Sequence, residues 1–410
     1  MRRPLTGAFE FMSGVRFQGN LRVLAVTGMT TGTYVTMLNA LLQPFIVGNL
    51  GFGVLILGVL VAFGARNLGI ASSIVQPFGG HLADIFGRKP LILLGSAVGI
   101  LSMLCFLIAA TSGSLPAAAA GYLLFGMSLV GYPATQAVVA ESAEMDARKV
   151  QVAFSVVFFF TYLPGVFVPA IGGYVATAVG YAVLFVAAAL LELANLVVLI
   201  AALEETRAPQ RVTVNHPARQ AFSFKRALGI PRGLARVYLP FALDAFSFGI
   251  GGAIIYGFWT SAFGYSASDV GLVASVLSAS IVASQYFATR ILLRFGTRMT
   301  LAFSEFLTVV VLTGWLFVPV LPVVVAMAVI FGFSVSTWLP SLSSLLMTTA
   351  PVEERGSVAG KLAAFRGLIS APAPLIGGFL FTSYGYFLPV ALSLVGEAIT
   401  VVALLRLLPR

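Results

Sequence analysis

Apolar residues run along this chain in twelve stretches, each long enough to cross a bilayer as a helix, for which about 20 residues are needed. They cover roughly 21–48, 54–80, 90–111, 117–140, 151–176, 181–203, 237–262, 268–293, 299–319, 321–348, 357–382 and 385–406. Gly and Pro punctuate them, as membrane helices tolerate. Alternating ten-residue strands, the mark of a membrane β-barrel, are absent from the pattern.

Composition agrees. Of 410 residues, 59% are hydrophobic and 9% charged, against about a quarter charged in a soluble domain. The bilayer is therefore the solvent. The first apolar run is too long for a cleavable signal peptide, lacks a small-residue cleavage site, and reads as an uncleaved anchor.

The net charge of +10 raises the question of nucleic acid, and its placement answers it. Arg2, Arg3, Arg16 and Arg22 precede span 1; Arg88 and Lys89 follow span 2; Arg148 and Lys149 follow span 4. Seven bases between Arg207 and Arg236 follow span 6, and Arg290, Arg294 and Arg298 bracket the turn after span 8. Arg355, Lys361 and Arg366 follow span 10, and Arg406 and Arg410 close the chain. That puts 23 of the 24 Lys and Arg on one side, with Arg66 the exception. The positive-inside rule then places both termini in the cytoplasm, and nucleic acid is excluded as a partner.

The polar break at 204–236 separates six spans from six, so the expected domains are 1–203, a linker at 204–236, and 237–410. The halves repeat. "PAIGGYVATAVGY" at 169–181 returns as "PLIGGFLFTSYGY" at 374–386, matching Pro169, Gly172 and Gly173 to Pro374, Gly377 and Gly378. At the same offset Glu192 returns as Glu397. "FGMS" at 125–128 returns as "FGFS" at 331–334, and "FGRK" at 86–89, more weakly, as "FGTR" at 295–298. Three segments in order at nearly constant offset mean a duplicated six-helix unit. Transporters built from such repeats bind substrate near mid-membrane, between the halves.

At "GGHLADIFGRKP", residues 79–90, the chain resembles the loop between spans 2 and 3 of the major facilitator superfamily, through Gly80, Leu82, Ala83, Asp84, Gly87, Arg88 and Lys89. The resemblance runs over the whole length. It implies an all-α integral membrane fold of twelve transmembrane helices in two pseudo-symmetric six-helix bundles. It also implies a transporter working by alternating access, with those motif residues gating the cytoplasmic side. Gly80 suits close helix approach and Gly87 a tight turn. Asp84, an acid beside a basic turn, is suited to hold the halves together there by charge, favouring an outward-open state. The second-half copy has Leu293 in place of the acid.

Two departures bear on direction and coupling. Exporters of the family often carry Gly-x-x-x-Gly-Pro-x-x-Gly-Gly in span 5, and "PGVFVPAIGG" has Val168 where the glycine precedes proline. The repeat of PxxGG in span 11 fits a hinge and packing role in both halves. Proton-coupled exporters often carry an arginine in span 4, where Tyr122 stands here.

Arg66 sits within span 2, where a lone arginine facing lipid costs at least a few kcal/mol. On a continuous helix it shares a narrow arc with Gly58, Ala62, Ala65, Gly69, Ser73, Gln76 and Gly80. That small and polar stripe should face protein or a water-filled cavity. Asp244 in span 7 is the first candidate for a proton or cation site. It lies ~11 Å from the cytoplasmic side against ~20 Å for Arg66, at ~1.5 Å per residue, so a pair is allowed but not compelled. Glu192, Glu305 and Glu397 are secondary proton-site candidates, on spans that are peripheral in the resembled fold, and hydrogen bonding within the bundle is the alternative. Neutral candidates for the cavity are Thr27, Thr31, Tyr34, Asn39 and Gln43 in span 1, and Tyr122, Ser128 and Tyr132 in span 4. Span 7 adds Tyr256 and Trp259, and span 10 adds Ser334, Trp338 and Ser341.

A cavity that is aromatic, mildly polar and poor in charge suits a small amphiphilic organic compound better than a phosphorylated one. The expected function is secondary transport of such a compound in the inner or plasma membrane, by proton-coupled efflux. Uptake symport, or lipid or sugar carriage on the same fold, is the alternative. There is no GxxxxGK[ST] loop, so an ion gradient is the expected energy source. An enzyme is not expected: His81 and His216 are the only histidines, both read as cytoplasmic, and no zinc spacing exists. Cys105 is alone and suits packing. The expected partners are the lipid bilayer, a small-molecule substrate and protons, with no cofactor, no metal and a monomeric chain.

Overall fold

The structure, a computed structural model, describes residues 19–66, 69–143, 147–206, 235–349 and 355–408, and among these it is all-helical with no strand. Among the described residues sixteen α-helices follow one another. Span 1 is α1 (Asn20–Pro44) and span 2 is α2 (Val54–Gly64) with α3 (Ile70–Phe86). Span 3 is α4 (Arg88–Ser112), span 4 is α5 (Leu115–Met127) with α6 (Tyr132–Ser142), and span 5 is α7 (Ala147–Tyr162) with α8 (Val168–Ala178). Span 6 is α9 (Tyr181–Ala202), and span 7 is α10 (Ala235–Gly251) with α11 (Ile255–Phe263). Spans 8 and 9 form α12 (Ala267–Phe317), and span 10 is α13 (Leu321–Thr349). Span 11 is α14 (Arg355–Ser370) with α15 (Pro372–Tyr384), and span 12 is α16 (Phe387–Leu407). Beyond Thr206, the expected linker lies outside the described residues up to 234.

Among the described residues ten helical segments are long and apolar enough to cross a membrane. The remaining two crossings are less apolar or interrupted. α1 is the more polar because it carries five threonines; Thr27 and Thr36 donate to the carbonyls of Val23 and Gly32 at 2.9 and 2.7 Å. Such back-bonding lets a hydroxyl stay in a membrane helix.

Local chemistry sets the ends. Gly113 and Gly264 close α4 and α11 in the left-handed conformation, which carries no Cβ penalty for glycine. Ser114 caps α5, with Pro116 in its first turn. Ser266 and Asp269 form a reciprocal capping box at the start of α12. Gly87 and Gly296, with φ of 101° and 75°, turn the chain at the two copies of the FG motif. In the second copy Gly296 is non-helical (φ 75°, ψ 170°), much as Gly87 is in the first (φ 101°, ψ 168°), so α12 breaks there into the helices of spans 8 and 9.

Span 2 departs from the sequence expectation. A single helix over 54–80 was expected; instead α2 stops at Gly64, Ala65 is extended (ψ 137°), and α3 starts at Ile70. Arg66 therefore lies in a break rather than on a continuous stripe. The break is braced by backbone and side chains together: Gly69 N–H donates to Ala65 O at 3.0 Å and Ser73 N–H to Gly69 O at 3.1 Å, and two serine hydroxyls add to them. Ser72 donates to the carbonyls of Ala65 and Gly69 at 3.0 and 2.9 Å, and Ser73 to Gly69 at 2.8 Å.

The two bundles meet along a seam built from the duplicated PxxGG segments. A Cβ on Gly173 would collide with the carbonyl of Ala267, and one on Gly271 with the carbonyl of Pro169. The second pair of spans repeats this: Gly378 comes against the Val54 carbonyl, and Gly58 against the Pro374 carbonyl. Span 5 thus seats on span 8 as span 11 seats on span 2, backbone on backbone. Gln43 adds a hydrogen-bonded bolt across the seam, donating to Ala253 O at 2.8 Å and accepting from Gly257 N at 2.9 Å. These contacts lie toward the end of the molecule opposite Arg88 and Lys89, which is closed. Gly271→Val should destabilise the purified protein by about 1–3 kcal/mol, as a forced core substitution does, and so lower its melting temperature. An unchanged melting temperature contradicts this packing.

Candidate substrate cavity and buried charge clusters

A cavity of about 1130 Å³ runs from the level of Tyr34, Asn39 and Arg66 to the end of the molecule that bears Asp84 and Arg88. Its wall belongs almost wholly to the first half; of the described residues only Lys361 and Ala364 come from the second. Arg66 looks into it. Its Nη1 donates to Ser128 Oγ at 3.2 Å, and its guanidinium carbon lies 5.3 Å from the Phe125 ring centroid, within cation–π reach. Ser128 is held in turn by Phe125 O at 2.7 Å. Among the described residues Arg66 makes no ion pair.

Glu192 shares this wall. Its oxygens accept from Ser96 Oγ at 2.6 Å and Asn195 Nδ2 at 3.3 Å, and Asn195 also reaches Thr31 Oγ1 at 3.3 Å. Tyr34, Asn39, Gln76, Tyr132 and Tyr162 complete the polar and aromatic lining. His81, expected in the cytoplasm, lines the mouth; His216 lies outside the described residues.

Asp244 is not in the cavity. It is 9% exposed, inside the second bundle, and its Oδ2 lies 2.8 Å from Arg366 Nη2. The arginine also donates from Nε to Phe241 O at 3.1 Å and stacks 4.6 Å from the Trp338 ring centroid. Asp244 therefore pairs with Arg366 and not with Arg66, which lies in the other half. Arg366, sorted from sequence with the bases of the cytoplasmic side, is a second intramembrane arginine. Its signal was present: it stands nine residues into the stretch beginning at 357, or ~14 Å, close to the depth of Asp244.

The glutamates are likewise more central than expected. Glu192 borders the cavity, and Glu305 and Glu397 bring carboxylate oxygens within 4.8 Å of each other and of Asp244. Spans 6, 9 and 12 are thus peripheral in backbone only; their acids point inward.

Several expected lining residues fall elsewhere. Tyr122 is buried against Phe106, ring centroids 5.5 Å apart, with its hydroxyl enclosed and without a partner. Gln43 serves the seam. Tyr256 packs on Trp259 at 5.7 Å, and Trp338 lies under Arg366.

In the loop motif, Gly87 makes the turn as expected. The close helix approach belongs to Gly79, whose Cβ would strike the Val130 carbonyl, while Gly80 meets Pro133 at an ordinary 3.5 Å. Asp84 pairs with Arg88 at 2.8 Å, and Arg88 with Glu141 at 3.3 Å. Glu205 accepts from the backbone N–H of Arg88 and Lys89, both at 2.9 Å, and the Lys89 ammonium donates to Ile200 O at 2.8 Å. These bonds gather spans 2, 3, 4 and 6 of the first half around one turn.

A sequence profile of the Major Facilitator Superfamily matches residues 24–259 and again 237–410, nearly the full chain. The chain belongs to the major facilitator superfamily. As a member it is a transporter and not an enzyme. It is 24% identical over 362 residues to "Multidrug resistance protein 1" of Bacillus subtilis (strain 168), covering 84% of this chain and 87% of that protein. Among solved structures, the nucleoside transporter NupG superposes with a TM-score of 0.76 at 12% identity, over 95% of this chain and 100% of that one. A D-xylose-proton symporter superposes at 0.69 and 14% identity, over 95% and 98%. At those identities the superpositions show the superfamily fold alone.

Removing one member of the buried pair leaves the other charged and enclosed, at a cost of about 3–5 kcal/mol. Asp244→Ala and Arg366→Ala should each destabilise by that order, and the double variant by less than their sum. Unfolding of the four proteins in a double-mutant cycle checks this; strict additivity contradicts the pair.

Proposed function

We propose that this transporter exports a small amphiphilic organic compound across the cell membrane, in exchange for protons. The observation that carries the reading is the cavity of about 1130 Å³ with Arg66 in its wall. A guanidinium with no ion pair among the described residues, beside tyrosine and phenylalanine rings, suits a ligand with one polar or anionic group on an apolar body. The name of the multidrug resistance relative supports export of a compound of that kind.

Positive charge clusters at the turns around Arg88, Lys89, Arg290 and Arg294, so the positive-inside rule puts the open end of the cavity, and both termini, in the cytoplasm. Substrate would then enter from inside with the seam shut on the outside. Rocking the two bundles about the backbone-on-backbone contacts would move the opening to the other face. We take 1–203 and 237–410 as the two moving bodies and the chain as acting alone.

Everted membrane vesicles under an imposed pH gradient test both direction and coupling. With a panel of fluorescent amphiphiles, the wild type should accumulate at least one when the gradient is applied. Arg66→Ala should lower that flux about ten- to a hundredfold, the worth of one charge-assisted contact, at equal protein level. Flux of the opposite sense would make the protein an uptake symporter, and unchanged flux in Arg66→Ala would remove the arginine from the path.

A further inference from the structure

The second bundle holds a group of acids that the cavity does not use. Asp244 on α10, Glu305 on α12 and Glu397 on α16 converge from three spans, with one oxygen of each within 4.8 Å of the others. They are 9%, 3% and 0% exposed. Arg366 on α14 is bonded to Asp244. Glu397 is the anomaly. Both its oxygens are enclosed and neither has a hydrogen-bond partner among the described residues, although they face the other two acids.

Charge counting gives this weight. Among the described residues, the charged groups that face Glu305 and Glu397 from the packed helices are Asp244 and Arg366, and α13 contributes Trp338. Three ionised carboxylates against one guanidinium leave an excess of two negative charges inside a bundle. A buried charge without a partner costs several kcal/mol. Sequence does not force an acid here, since a glutamine would fill the same volume and satisfy itself more readily. Two extra acids beside an already neutralised pair need a positive charge small enough to fit between them.

We propose that Glu305 and Glu397 together form a proton-binding site, distinct from the substrate cavity and neighbouring the Asp244–Arg366 pair. A proton taken from water bonds to one glutamate oxygen, and the resulting hydroxyl donates to the other glutamate. The excess falls from two negative charges to one, and the empty lone pairs of Glu397 are used. As the coupling site of transport, this deepens the proton-exchange reading above; as a site that binds a proton, it stands without it.

The path from this site to the cavity is short. Arg366 is followed by Gly367, which seats directly on Ser73 of α3, so that a Cβ there would strike the Ser73 hydroxyl. Ser73 lines the cavity and braces the break that carries Arg66. When both glutamates are ionised they compete with Asp244 for Arg366; when a proton is shared between them, one negative charge is removed and the hold of Asp244 on the arginine is less contested. Each state sets the position of α14 against α3 differently.

Trp338, stacked on Arg366, is a built-in reporter, and the chain has two other tryptophans, Trp259 and Trp315. In full-length protein carrying Trp259→Phe and Trp315→Phe, emission from Trp338 should show one reversible transition as pH is varied, with no substrate added. Glu305→Gln or Glu397→Gln should abolish it, with melting temperature at or above that of the parent. Infrared difference spectra of protein with its native tryptophans should lose carboxylic C=O intensity in the same variants, which covers the case of a tryptophan-depleted protein that fails to fold. A transition that survives in both glutamine variants overturns the proposal. So does a Trp338 response to sodium or calcium at fixed pH, which would give the site to a metal cation. If these titrations succeed while vesicles show no pH-driven flux, the proton site stands and the exchange reading falls.

Discussion

A charge carried into hydrocarbon has to be met by the protein that carries it, and the two intramembrane arginines show two solutions. Arg366 is met by Asp244 at 2.8 Å inside a closed bundle. Arg66 is met by position, in a helix break that opens onto a cavity, with Ser128 and the face of Phe125 beside it. The first solution fixes a structure; the second leaves a positive group available to a ligand. Ser72 and Ser73 add hydroxyl bonds to the carbonyls of Ala65 and Gly69, which also accept backbone N–H groups, so one short segment both positions the arginine and braces the break.

The same economy appears at the seam. Glycines let carbonyls of one bundle approach the backbone of the other, and the arrangement is repeated by the internal duplication: Pro169 and Gly173 against Gly271 and Ala267, Pro374 and Gly378 against Gly58 and Val54. Contacts of that kind have no long side chains to repack, which suits surfaces that turn against one another. With Gln43 bonded across them, they shut one end while the cavity reaches the other. Halves of equal fold thus do unequal work. The first supplies nearly all of the cavity wall, and the second buries three acids and an arginine.

The span count, the duplication and the superfamily were legible because each is written as periodic apolar length or as repeated small residues, both of which survive in one dimension. The motif turn at Gly87 was legible for the same reason. The break in span 2 was not, because it goes with a tertiary contact: Gly64 and Gly126 bring the backbones of spans 2 and 4 together. Arg366 was misplaced because charge sorting treats every base near a span end as outside, although its depth matched that of Asp244. Glu305 and Glu397 could be placed in the membrane from sequence, but not beside each other, since spans 9 and 12 stand far apart in the chain. Tyr122 and Gln43 failed as lining residues because polar groups on one helix serve packing and seam as readily as cavity, and spacing alone does not separate the faces.

The central claim is that Arg66 faces an aqueous cavity open toward the end that bears Arg88 and Lys89. The direct measurement is thiol accessibility. With Cys105, the single native cysteine, replaced by serine, Arg66→Cys should react with a membrane-impermeant charged methanethiosulfonate applied from that face, and Leu190→Cys, on the outward surface of α9 at 61% exposure, should not. A cysteine at position 66 that stays unreactive from both faces, or behaves as the one at 190 does, would contradict the account.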